Sequence, residues 1–237
     1  MNSIQFSNSR KQLAVVIDPD KTIDSLHELI ELSLTTKIDY FLVGGSLLIQ
    51  NNFERTIELL KKNTDIPVII FPGSNYQISH RADAILLLSL VSGRNPEYLI
   101  HQHVQAAFPL HQSGLQIIPT GYVLIEGGVY SSTQYISNTM PIPKDKPEIV
   151  IATSLAAEQL GMKCIYLEAG SGASFPASKE IIQGIKKYTS IPLIVGGGIK
   201  DAETALRQWE AGADIVVIGN ALEKNPLLIK EISAIKP

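Results

Sequence analysis

The chain has 237 residues, of which 45% are apolar and 18% charged, with a net charge of −3. That apolar share excludes a disordered polymer, and the length suits one large α/β domain spanning residues 1–237. The mild acidity shows no basic excess and argues against a nucleic-acid partner.

The longest apolar stretch, residues 84–91, is interrupted by Ser89 and is far short of the roughly 20 residues a spanning helix requires. The first ten residues, MNSIQFSNSR, lack an apolar core, so no secretory signal is expected. The single cysteine, Cys164, forbids an internal disulfide. It fits a reducing cytoplasm, the expected location.

In chain order, a first strand is predicted over 14–17, stopped by Asp18-Pro19, and a helix over 25–34 follows. The second strand, 40–43, ends at Gly44-Gly45 and leads into a helix over 51–62. The third strand, 68–71, ends at Pro72-Gly73, and the fourth runs over 84–90 before a helix over 96–107. The fifth, 116–125, precedes Gly127-Gly128 and a polar, proline-rich stretch over 131–147, read as a surface loop before a helix over 148–160. The sixth, seventh and eighth strands fall over 164–167, 193–195 and 214–218, with helices over 178–188, 202–211 and 226–235. Several strands are continuous Val/Ile/Leu runs without alternation, as for parallel strands covered on both faces. The helices repeat apolar residues at three and four. Asp201 caps the seventh helix and Gly212 terminates it; Pro226 opens the last.

Eight strands alternating with helices predict a (β/α)8 barrel; an open doubly wound sheet is the alternative. One crossover is too short. About ten residues, 74–83, separate the third and fourth strands, whereas a parallel crossover normally needs a dozen or more. A non-helical segment is therefore expected there, with thin cover over one side of the barrel.

In a barrel, chemistry belongs to the C-terminal ends of the strands. Glycine enrichment there lets backbone amides approach an anion. The strongest constellation is IVGGGIKDAE followed by IVVIGNALEKNP. Gly197, Gly198, Gly219 and Asn220 are expected to present N–H donors to a phosphate. On strand six, CIYLEAGSGAS, a period of two puts Tyr166 and Glu168 on one face, with Ile165 and Leu167 on the other. A phenol and a carboxylate at a barrel mouth suit the gripping of hydroxyl groups. Asp18 by itself reads as a turn aspartate. With Ser46 from the neighbouring strand it forms a sparse oxygen pair suited to Mg2+, which completes its shell from water and substrate phosphates. His101 and His103, two apart on a helix, cannot share a metal. Cys164 and Trp209 read as core.

The pieces VVIDPDK, FLVGGS, FPGS, SLVSGRNPEYLI, TGYVLIEGG, YLEAGSGA, VGGGIKDAETA and VIGNALEKNP run in order along nearly the whole chain. In that combination the sequence resembles the geranylgeranylglyceryl phosphate synthases and their bacterial PcrB-like members. The resemblance implies a (β/α)8 barrel with the third helix replaced by a non-helical segment. It also implies Mg2+-dependent transfer of a prenyl group from a polyprenyl diphosphate to the 3-hydroxyl of sn-glycerol 1-phosphate, releasing diphosphate. Asp18 and Ser46 match the metal positions. Tyr166, Leu167, Glu168, Ala169, Gly170, Ser171 and Gly172 match the glycerol-phosphate site, as do Gly197, Gly198, Gly219 and Asn220. Glu168, with Tyr166, is the expected catalytic group. Some bacterial members carry lysine two residues before the metal aspartate; this chain has Val16 there. Its wording resembles the branch whose usual donor is geranylgeranyl diphosphate.

A C20 tail needs an apolar trench. The place of the missing helix, flanked by residues 71–78 and Tyr98, is its expected route. A homo-oligomer and transient membrane-surface contact are also expected. Two other readings remain compatible with the phosphate loops: a phosphosugar isomerase, or a non-catalytic binding barrel.

Overall fold

The computed structural model describes residues 3–20 and 23–237. Lys21, the last residue of the VVIDPDK motif, lies outside them. The eight parallel strands close into a barrel in sequence order: β1 (Gln12–Ile17), β2 (Tyr40–Val43), β3 (Val68–Ile70), β4 (Ala84–Ser89), β5 (Gln116–Leu124), β6 (Cys164–Glu168), β7 (Leu193–Gly196) and β8 (Ile215–Ile218). The closing pair aligns Ala14 of β1 with Val217 of β8. An open doubly wound sheet is excluded by that closure.

Strand alternation divides the core in two. Ala14, Leu42, Ile69, Leu86, Tyr122, Leu124, Tyr166, Ile194 and Val217 point inward and fill the barrel. Val15, Phe41, Ile70, Val123, Leu167, Val195 and Val216 point outward and pack under the helices. The interior is a packed core and not a pore.

Helices α1 (Ile23–Ser33), α2 (Phe53–Asn63), α3 (Gln102–Ser113), α5 (Pro147–Gln159), α6 (Lys179–Tyr188), α7 (Ala202–Ala211) and α9 (Leu228–Ile235) surround the sheet. Their starts follow from local chemistry. Ser178 accepts the Ile181 N–H and Asp201 the Thr204 N–H, each satisfying a donor that the first turn leaves unpaired. Trp209 of α7 is fully buried, and its indole N–H donates to the Gln12 carbonyl at 3.0 Å, tying the helix to the foot of β1.

Three segments differ from expectation. The helix predicted to end at residue 107 runs on to Ser113, through Pro109, and a π-turn at Glu97–His101 precedes it. Proline there sits on the exposed side, and Gly114, with φ of 72°, supplies the stop. The stretch 131–147 is not wholly loop: it contains a short helix, α4 (Ser132–Ser137), and Ile142 bridges to Ile125. The end of the chain forms two helices, α8 (Asn220–Lys224) and α9, where one was predicted.

Between β3 and β4 no helix forms, as the spacing predicts. The segment is held down by polar contacts: Ser79 and Arg81 both bond to Glu54 of α2, at 2.8 and 3.2 Å, and Arg81 also pairs with Glu58 at 3.0 Å. Leu87, on the outer face that a helix would otherwise cover, is only partly buried.

Candidate active site

Glu168 is the last residue of β6 and pairs in register with Leu124 on one side and Gly196 on the other. Its side chain faces the barrel axis with only 7% exposure. The Gly170 N–H donates to its Oε1 at 2.6 Å, and the Tyr166 hydroxyl donates a second bond to the carboxylate. Burial disfavours the charged form and pushes the Glu168 carboxyl up to about 7, against the pull of those two donors. Such a carboxyl is poised to accept a proton near neutrality.

Tyr166 is fully buried and stacks on Phe71 with ring centroids 4.8 Å apart, while Tyr122 of β5 lies 5.4 Å away. Burial and the neighbouring Glu168 carboxylate hold both phenols well above their ordinary range. They are neutral hydrogen-bonding groups. The Tyr166 hydroxyl rests on Glu168 beneath the rim, so the phenol fixes the acid.

Gly197 shows why glycine occupies that rim. Its φ is +85°, and a Cβ there would stand 2.7 Å from Glu168 Oε1 and 2.8 Å from the Gly170 nitrogen. A side chain would push the β7 turn off the carboxylate. Among the described residues, the N–H groups of Gly197, Gly198, Gly219 and Asn220 donate to no backbone carbonyl of a turn, loop or cap. Ser171 Oγ donates to Asn220 Oδ1 at 2.9 Å, linking the β6 and β8 loops. Gly172 lies exposed in the same loop. Leu167 and Ala169 behave differently: their side chains belong to the outer core, and the Ala169 N–H donates to the Gly196 carbonyl. They shape the strand end without facing the mouth.

Across the rim, Asp18 lies against the β2 turn, its Oδ1 accepting the Asp20 N–H at 3.1 Å. A Cβ on residue 45 would stand 3.3 Å from that oxygen, so Gly45 keeps the carboxylate uncrowded. Ser46 follows directly, its hydroxyl 3.1 Å from that of Thr133. Asp20 is committed elsewhere, accepting the N–H groups of Ile49 and Gln50. Among the described residues no three His, Cys, Asp or Glu side chains gather as a metal cage. One carboxylate and one hydroxyl form an all-oxygen, open donor set. That set fits a hard cation that retains water and takes substrate oxygens.

The helix-less side contains a shallow apolar groove partly open to solvent. Pro72, Gly73, Ile78, Leu87, Tyr98 and Ala106 are among the residues that line it. Its lining residue Pro72 follows Phe71, the ring stacked on Tyr166. His103 lines it with Nε2 2.8 Å from the Leu88 carbonyl oxygen, a structural contact. Cys164 is buried inside the barrel, its thiol pushed up to about 12 by desolvation, and is no nucleophile.

Sequence reasoning put Phe71 on the tail's route but not on the stack with Tyr166, and it missed Tyr122 and Thr133. The first two carried a signal: Phe71 closes an apolar run, and Tyr122 lies an even number of residues from the inward Leu124. Thr133 carried none.

The PcrB family model matches residues 6–236. A geranylgeranylglyceryl phosphate synthase from Chitinophaga pinensis is 50% identical, the match covering 94% of this chain and 89% of the relative. One from Korarchaeum cryptofilum is 40% identical over 91% and 88%. Among solved structures, (S)-3-O-geranylgeranylglyceryl phosphate synthase from Thermoplasma acidophilum, in complex with its substrate sn-glycerol-1-phosphate, superposes with a TM-score of 0.89. It is 32% identical, covering 95% of this chain and 92% of that one. With a buried acid, glycine-built rim and helix-less groove in one barrel, the chain belongs to the PcrB family.

Proposed function

We propose that the protein transfers a prenyl group, from geranylgeranyl diphosphate, to the 3-hydroxyl of sn-glycerol 1-phosphate, forming an ether and releasing diphosphate. The observation that carries this reading is the apolar groove on the helix-less side of the same barrel whose interior holds a buried acid of raised affinity for protons. A phosphosugar isomerase has no use for such a trench, and a binding barrel has none for the acid.

The glycerol phosphate sits on the N–H groups of Gly197, Gly198, Gly219 and Asn220, where backbone dipoles favour a dianion. Glu168 orients the 3-hydroxyl and takes its proton as the oxygen attacks the allylic carbon. The carbon–oxygen bond to diphosphate breaks and its electron pair leaves with diphosphate. Tyr166, neutral and immobile, keeps the Glu168 carboxylate aimed. Asp18 and Ser46 would hold Mg2+, which when bound neutralises charge on the departing diphosphate. The groove takes the tail; at roughly 0.8 kcal/mol per buried CH2, the tail dominates donor affinity.

The test is incubation with sn-glycerol 1-phosphate, Mg2+ and donors from C15 to C35, with mass analysis of products. The C20 ether is expected, with little product from the 3-phosphate enantiomer. No ether from any donor contradicts the proposal. Among the described residues no helix is long and apolar enough to cross a membrane.

A further inference from the structure

The short helix α4 lies across the rim and touches four parts of it. Ser131, its cap, packs over Gly170, where an added Cβ would come within 3.2 Å. The Ser137 carbonyl accepts Asn95 Nδ2 at 2.8 Å, and the Ile136 carbonyl accepts the Tyr98 hydroxyl at 3.3 Å. Thr133 makes the remaining contacts. Its hydroxyl is 3.1 Å from Ser46 Oγ and also hydrogen-bonds the Tyr122 hydroxyl. Tyr122 lies against Tyr166, which bonds Glu168. One threonine hydroxyl thus joins the β2 turn, on the Asp18 side, to the aromatic pair that holds the acid.

We propose that Thr133 is a positioning residue that ties the diphosphate end of the site to the acid end and sets their separation during prenyl transfer. The inference rests on the function proposed above. A threonine in a merely covering helix has no reason to aim its hydroxyl down at both a rim serine and a buried tyrosine. Serine retains both bonds and valine removes both at nearly constant shape. Loss of hydrogen bonds that hold a reacting geometry acts on turnover more than on ground-state binding.

The experiment compares wild type, T133V and T133S in the prenyl-transfer assay, with KM measured for each substrate and circular dichroism confirming the fold. T133V is expected to lose about tenfold or more in kcat, with KM for glycerol phosphate changed less than about threefold. T133S should recover to within about threefold of wild type. Wild-type kcat in T133V, or equal losses in both variants, would overturn the role of Thr133. Absence of product from wild type would instead defeat the function reading, so the two failures are distinguishable.

Discussion

The β7–β8 side of the barrel and the β3–β4 side are built from similar Val/Ile/Leu strands, yet they are finished in opposite ways. Over β7 and β8 the outer residues Val195 and Val216 are fully buried, and Trp209 locks α7 to the foot of the barrel. Between β3 and β4 no helix is present, the outer residue Leu87 is left partly uncovered, and a groove forms. In the proposed function the sealed side gives rigidity where backbone amides hold the anion. The open side sacrifices cover and leaves an apolar groove, the route proposed for the prenyl chain. A difference of only a few residues in crossover length decides which finish a side receives.

The largest expected effect lies between the two sides. Glu168→Gln should reduce turnover about 10²–10⁴-fold while the fold persists, measured by product formation. The same substitution probes burial. The Glu168 carboxyl is raised to about 7 from an ordinary 4.5, so the fold favours its protonated form. That contribution is complete below about pH 4.5 and is lost as pH rises through 7, a loss of about 3 kcal/mol. Glu168→Gln should therefore melt above wild type at pH 8, with the gap closing near pH 5.

On the sealed side, Trp209→Ala should destabilise by about 3–5 kcal/mol in denaturant unfolding, since it leaves a large cavity and removes the indole bond to the Gln12 carbonyl. On the open side, Ile78→Ser should raise KM for the prenyl donor about tenfold and leave KM for glycerol phosphate nearly unchanged. Equal effects on both constants would mean that the groove does not take the tail. The smallest effect belongs to a cap: Ser178→Ala should cost about 1 kcal/mol through loss of the Ile181 N–H acceptor.

The barrel was legible because several strands are unbroken apolar runs and most end at a glycine or proline turn, and its missing helix was legible because the interval from 74 to 83 is too short for one. The pairing of Tyr166 with Glu168 followed from the two-residue period. What could not be read depended on contacts distant in sequence. Helix α4 has six residues, too few to show amphipathic periodicity, so Thr133 looked like any polar loop residue. Its importance comes from Ser46, 87 positions away. Within the YLEAGSGA motif the outward face of Leu167 followed from the same two-residue period, whereas the packing of Ala169 into the outer core lay beyond the predicted strand and was not read.

The central claim is that Glu168, buried and proton-hungry, accepts the glycerol proton. The most direct measurement is the pH dependence of kcat/KM for sn-glycerol 1-phosphate in wild type and in E168Q. Wild type should rise with pH through an inflection near 7 and then level, and the residual activity of E168Q should lack that inflection. The same inflection in E168Q, or undiminished turnover by that variant, would contradict the account.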